Sequence, residues 1–205
     1  GFWEGATENG EITRELLARL EERGLVLTAH CLFITDGGKG IIAALKAKFG
    51  KKLLHQRCVI HKGRNIQKHL AKRYRKRAQD LFTVALQHTK YDDALKALKE
   101  LEKWLRGINP SAANSLLEAL DEILLIHRLE VPEELRAALR STNGIENLFA
   151  TTRHREKNVK NYNPNYRGKP AKKGMSQRWL GTVLLNAESN FRSVRGAEHI
   201  PTVIA

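Results

Sequence analysis

A short apolar run that ends on a carboxylate constrains the fold of this chain more than any other stretch. Residues 31–40 read CLFITDGGKG, so Leu32, Phe33, Ile34 and Thr35 stop at Asp36 and two glycines follow. A few β-prone residues bounded by turn formers predict a buried strand, and open α/β sheets keep their chemistry at the carboxyl ends of such strands. Asp36 is the first catalytic candidate on that ground. An Asp-Gly pair also makes a plain turn, and this segment alone leaves both readings open.

The neighbouring segments supply the rest of an α/β pattern. Phe2 and Trp3 read as the tail of a strand, followed by turn and capping residues from Thr7 to Gly10. Ile12, Leu16, Leu17, Leu20 and Leu25 recur at near-helical spacing opposite Glu11, Arg14, Glu15, Arg19, Glu21 and Glu22, which predicts an amphipathic helix ending at Gly24. A second helix is expected over 39–49, stopped by Gly50, and residues 53–60 suit one more short strand. Helix alternating with strand predicts a parallel sheet. From 61 to 139 no strand candidate appears. Helical periodicity runs through 81–86, 91–105 and 115–129, with Asn109-Pro110 and Val131-Pro132 as breaks, and this reads as an all-helical insertion. A further helix starts near Ser141, residues 159–174 read as a mobile basic loop, and a last helix covers about 176–191.

Charge limits what Asp36 can act on. The chain has 205 residues, 41% hydrophobic content and a formal net charge of +14, with a pI near 10.0. That suffices for one sizeable core and favours a polyanionic partner over a neutral metabolite. No apolar run approaches the roughly 18 residues needed to span a bilayer, so no membrane role is expected and the cytoplasm is the expected compartment. Cys31 and Cys58 are the only cysteines, which argues against a disulfide framework. The sequence begins with glycine rather than methionine and reads as a piece of a longer protein.

The cations are clustered. Between Asp36 and Asp80 there is no acidic residue, yet Arg57, Lys62, Arg64, Lys68, Lys72, Arg73, Arg75, Lys76 and Arg77 all fall there. A second tract carries Arg153, Arg155, Lys157, Lys160, Lys172, Lys173 and Arg178, with Glu156 as its one acid. A charge run is commonly just a solvated face, but an acid-free run this long has no local partners and repels itself. Phosphate contacts relieve that repulsion, so DNA or RNA is the expected partner and these side chains its contacts. Residues 91–134 are mixed or acidic and are expected to face away from it.

A basic nucleic-acid binder with a strand-end carboxylate calls for further carboxylates, because two-metal phosphoryl transfer needs converging oxygen ligands around ions about 3.5–4 Å apart. Glu146, in STNGIEN, is the second candidate. Asn143 followed three residues later by Glu146 is equally a helix-capping pattern. Arg153, two turns along the same face, places the phosphate surface beside Glu146 and favours the functional reading.

The strings WEGATEN, FITDGGKG, QRCVIHKGRNI, NPSAA and RSTNGIENLFATTR, in this order and followed by RSVRGAEHIP, resemble the bacterial insertion-sequence transposases of the mutator type along nearly the whole chain. The resemblance implies an α/β RNase H-like fold, incomplete at its N-terminus, with a core over 1–62 and 140–195 and a helical insertion over 63–139. It implies an Asp-Asp-Glu transposase that cleaves DNA and transfers strands with Mg2+ or Mn2+, acting on transposon ends and target DNA as a homodimer or larger assembly in the nucleoid. By motif match Asp36 and Glu146 are the second and third carboxylates and metal ligands. The first Asp belongs to a strand upstream of Trp3, so this stretch alone is expected to be inactive; Glu4 and Glu8 are given no such role.

Cys58 and His61 match the family's Cys-x-x-His signature. Such a pair is half of a zinc site, but Cys31, His55 and His69 complete it at no convincing spacing. A packed Cys58 beside a His61 that orients the active end of the sheet, or acts on phosphate or a metal-bound carboxylate, is the favoured reading. Trp104 lies at core spacing beside Leu101 and Leu105, and by the resemblance it also suits stacking on an unpaired base. An RNase H-like nuclease or junction resolvase, and a non-catalytic DNA-binding remnant of a decayed transposase, are the alternatives.

Overall fold

The structure, a computed structural model, describes residues 10–28, 30–157 and 175–204. The expected strand at Phe2-Trp3 and the basic loop at 159–174 lie outside the described residues. The chain divides into two compact units, Gly1–Thr142 with Arg195–Ala205, and Asn143–Val194.

In the first unit, α1 (Gly10–Glu22) precedes β1 (Leu32–Thr35), α2 (Lys39–Phe49) and β2 (Leu54–Arg57). The two strands pair in parallel with Leu32 opposite Leu54 and Thr35 opposite Arg57, so α2 is the crossover that parallel pairing requires. Both ends of α2 fall where the sequence puts them. Gly50 ends it at φ 55°, a backbone region that favours glycine. The second strand is shorter than expected because Val59 and Ile60 already belong to the next helix.

That helix, α3 (Val59–Lys68), opens a helical lobe with α4 (Lys72–Gln87), α5 (Tyr91–Arg106) and α6 (Pro110–Leu117). Its core joins Ile66, Phe82, Leu98, Leu101, Leu105 and Leu116, all buried. Asn109 caps α6 by accepting from Ser111 N–H at 2.8 Å and also donates to His69 O at 2.7 Å, tying the break before α6 to the end of α3.

The expected helix over 115–129 is instead broken into the end of α6, α7 (Leu120–Ile123) and α8 (Leu125–Arg128). The cause lies in the sheet. Gln56 is fully buried, and its side-chain amide donates to Ile123 O at 3.3 Å while its carbonyl accepts from Ile126 N–H at 3.2 Å. The side chain takes up backbone groups at the break and presses it against β2.

After α9 (Glu133–Leu139) the chain leaves this unit at Thr142 and returns at Arg195, where α12 (Ile200–Ile204) sets Val203 against Ile126, Val131 and Leu135. Gly196, at φ 75°, makes the return: a Cβ there would lie 3.0 Å from Leu135 N. The second unit is a pair of packed helices, α10 (Asn143–Glu156) and α11 (Met175–Glu188).

Replacing Gln56 by Leu keeps the volume but strips the break of its partners. Each buried group left unpaired costs about 1–3 kcal/mol. The expected outcome is a melting temperature lowered by several degrees in a calorimetric scan; an unchanged melting temperature would show that the break holds without Gln56.

Candidate active site and nucleic-acid interface

Asp36 follows the last residue of β1 and is exposed. Its Oδ1 accepts from Gly38 N–H at 3.1 Å, so the turn and the presented carboxylate are one feature. Gly37 stands at φ 102°, and a Cβ there would lie 2.0 Å from Arg57 Nε. The turn is thus glycine because the Arg57 side chain runs directly over it.

Arg57 and Lys62 require a correction. Both were expected on the phosphate surface; both are buried, Lys62 with no exposure at all. Lys62 Nζ donates to Ser115 O at 2.8 Å and to the Glu118 carboxylate. Arg57 donates to Glu122 Oε2 at 3.0 Å and to Glu118 Oε1 at 3.4 Å. Their partners stand far along the chain, so an acid-free stretch of sequence is not an acid-free region in space. His55 joins the cluster, with Nε2 2.8 Å from Thr35 Oγ1 and Nδ1 3.5 Å from Glu122 Oε1.

The electrostatics follow from these contacts. The Lys62 ammonium holds the Glu118 carboxyl below its ordinary range, and His55, with Arg57, does the same for Glu122. Burial pulls Lys62 below its ordinary value, and Glu118 opposes that pull.

Cys58 is buried at the N-terminal end of α3. His61 Nδ1 lies 3.3 Å from its Sγ, and the Thr142 hydroxyl donates to the sulfur at 3.4 Å. Burial pushes the thiol up, but bonds from Thr142 and His61 outweigh it and set the thiol below its ordinary value. Among the described residues none of Cys31, His55 and His69 groups with Cys58 and His61 as metal ligands. Cys31 instead bonds to Thr28 and Val26.

The remaining cations of the first tract are on the surface. Arg64, Lys68, Lys72, Arg73, Arg75, Lys76 and Arg77 are all exposed. The first turn of α4 carries no acid. Positive side chains there oppose the helix dipole as well as one another, an arrangement that a bound anion relieves. Arg73 lies over the Tyr74 ring at 4.8 Å, and Arg77 over the Trp104 ring at 5.4 Å. Trp104 is half-buried and meets Tyr74 edge-on at 6.3 Å, so it packs against the core while keeping part of its surface open.

In the second unit Glu146 stands half-buried in the first turn of α10, whose first residue is Asn143. Arg153 and Arg155 are exposed in its last turn, and Lys157 and Arg178 are exposed as well. Lys160, Lys172 and Lys173 lie outside the described residues.

Residues 1–193 match the family model described as Transposase, Mutator family. The chain is 33% identical over 158 residues to the transposase for insertion sequence element IST2 of Acidithiobacillus ferrooxidans, covering 77% of this chain and 52% of that protein. It is 32% identical over 157 residues to the transposase for insertion sequence element IS6120 of Mycolicibacterium smegmatis, covering 77% of this chain and 47% of that one. By class the chain is a member of a transposase family. It belongs to the mutator family, and the chain spans about half the length of the curated relatives it matches.

Glu118, Glu122 and Thr142 were not singled out from sequence. For the two glutamates a signal was present on their partner: Val59, Lys62, Gly63 and Ile66 are the buried positions of α3, so Lys62 occupies the apolar stripe and needs an internal carboxylate.

The depressed carboxyls set a pH dependence. A carboxyl held below its ordinary value stabilises the fold above that value, and the contribution is lost as pH falls through the folded-state value. Stability is therefore expected to fall as pH drops below the ordinary 4.5 of Glu118 and Glu122. Glu122→Gln should flatten this acid limb in melting curves taken across pH; an identical limb in the variant would mean that other groups produce it.

Proposed function

We propose that this chain is the C-terminal part of the catalytic domain of an enzyme that cuts and joins DNA, with Asp36 and Glu146 as two of three carboxylates of an Asp-Asp-Glu metal site. The core is read as RNase H-like, with residues 63–139 as a helical insertion. The observation that carries the reading is Asp36 itself: a carboxylate oriented by a backbone N–H and exposed at the carboxyl end of a strand in parallel pairing, where such sheets keep their chemistry.

The donor set suits Mg2+ or Mn2+, because hard cations take oxygen ligands and both residues are carboxylates. Ions held there would supply charge stabilisation to the attacking and leaving oxygens of an in-line displacement. Arg64, Lys68 and the cations of α4 bind the DNA backbone without reading sequence. Trp104, flanked by Arg77, offers a ring for an unpaired base, and His61 stands beside the sheet end. Assembly into a dimer or larger complex on transposon ends, in the cytoplasm, completes the reading. No described helix is long and apolar enough to cross a membrane.

In the full-length protein, Asp36→Asn and Glu146→Gln should each lower strand cleavage by at least about two orders of magnitude while leaving DNA affinity unchanged or higher. A supercoiled-plasmid nicking assay beside a binding titration measures both. Wild-type cleavage by Glu146→Gln, with a lowered melting temperature, would assign Glu146 to helix capping instead.

A further inference from the structure

Cys58 is a small buried residue at a junction of three segments. Its backbone N–H donates to Thr35 O at 2.8 Å, next to Asp36 in the chain. Its sulfur accepts from the Thr142 hydroxyl at 3.4 Å, and Thr142 directly precedes the helix that carries Glu146. One residue further, Val59 N–H donates to Arg140 O at 3.0 Å, so the 140–142 segment is held to the start of α3 at two points. His61 Nδ1, one turn along α3, lies 3.3 Å from the same sulfur.

Cys31 makes its own bonds to Thr28 and Val26, both cysteines are free thiols, and none of Cys31, His55 and His69 joins Cys58 and His61 as a ligand group. With no exposure, the sulfur meets neither substrate nor solvent. What it does is connect.

We propose that Cys58 is a positioning residue for the metal site: it ties the strand end bearing Asp36 to the segment that leads into the helix bearing Glu146, through its own N–H on one side and the Thr142 hydroxyl on the other. This rests on the carboxylate reading of the site. Metal ligands must be held within about 0.5 Å of their working geometry, and residues supporting them carry that constraint. The Cys-x-x-His spacing fits this role. Residue 58 precedes α3 and can bond at once to a strand and to an incoming segment; residue 61 is one turn on, where its ring reaches the sulfur.

The test is Mn2+ binding by calorimetry on the full-length protein, with cleavage at saturating Mn2+ measured alongside. Cys58→Ala and Thr142→Val should each raise the half-saturating Mn2+ concentration about tenfold, the lower end of the loss usual for groups supporting metal ligands. Because both remove the Thr142–Cys58 bond, the double variant should be no weaker than the worse single variant. Cys58→Ser, which keeps an acceptor for Thr142, should recover most of the binding, and saturating Mn2+ should recover most of the cleavage. Should Cys58→Ala fail to fold, Thr142→Val carries the test, since it keeps shape and loses only the hydroxyl. Unchanged half-saturation in Thr142→Val, or fully additive losses in the double variant, would overturn the proposal. Asp36→Asn separates it from the reading beneath: if that variant still binds Mn2+ normally the metal site itself is wrong. If it loses binding while Cys58→Ala and Thr142→Val do not, only the role of Cys58 falls.

Discussion

A lysine with no access to solvent holds the first unit together. Lys62 sits among Val59, Gly63 and Ile66 on the inward face of α3, and its ammonium meets the carboxylate of Glu118 and the carbonyl of Ser115 at the end of α6. Removing one partner of a buried ion pair typically costs about 3–5 kcal/mol; the Glu118 side chain keeps 59% of its exposure, which places this pair at or below the low end of that range. Arg57 repeats the arrangement one strand end away, reaching Glu122 while lying over Gly37. The two cations attach α6 and α7 to the strand ends where Asp36 and Cys58 are presented. The helical lobe is fixed to the sheet through charge, and Gln56 adds the neutral counterpart between β2 and the break at Leu124.

This cluster sorts the positive charge of the chain into two populations. Arg57 and Lys62 are neutralised from within, whereas Arg64, Lys68 and the cations from Lys72 to Arg77 stay on the surface. Their concentration at the first turns of α4, without an acid in the first turn and with guanidinium groups laid on Tyr74 and Trp104, gives a face where like charges are close and partly ordered. A polyanion relieves both the repulsion and the unfavourable helix-dipole term, which connects the composition of this mutator-family chain to the nucleic-acid partner proposed for it.

Much of this was legible in the sequence, and most of the failures share one cause, partners distant in the chain. The boundaries of α2, the end of α1 near Gly24, the strand before Asp36 and the absence of strands from 61 to 139 follow from local periodicity and turn residues, which are properties of adjacent positions. The start of α4 was obscured because its first turns are almost all cationic and show no apolar rhythm. The 115–129 segment has unbroken helical periodicity, and only a glutamine about 70 residues upstream interrupts it. Arg57 and Lys62 were misplaced for the same reason, since a charge tract says nothing about carboxylates 61 and 56 residues away. The strand-end position of Asp36 was legible because a strand, a carboxylate and a glycine turn are contiguous; Thr142 was missed because its partner, Cys58, stands 84 residues before it.

The sorting of cations by burial is tested most directly by the salt dependence of DNA affinity. Removing one cation–phosphate pairing reduces the slope of log affinity against log salt by about 0.9 on duplex DNA. A variant with Lys72→Gln, Arg73→Gln and Lys76→Gln should lower the magnitude of that slope by about 2–3, while Lys62→Met, at a temperature where it remains folded, should leave it unchanged. A triple variant with the wild-type slope, or a Lys62→Met protein whose slope falls by about one, would contradict the account.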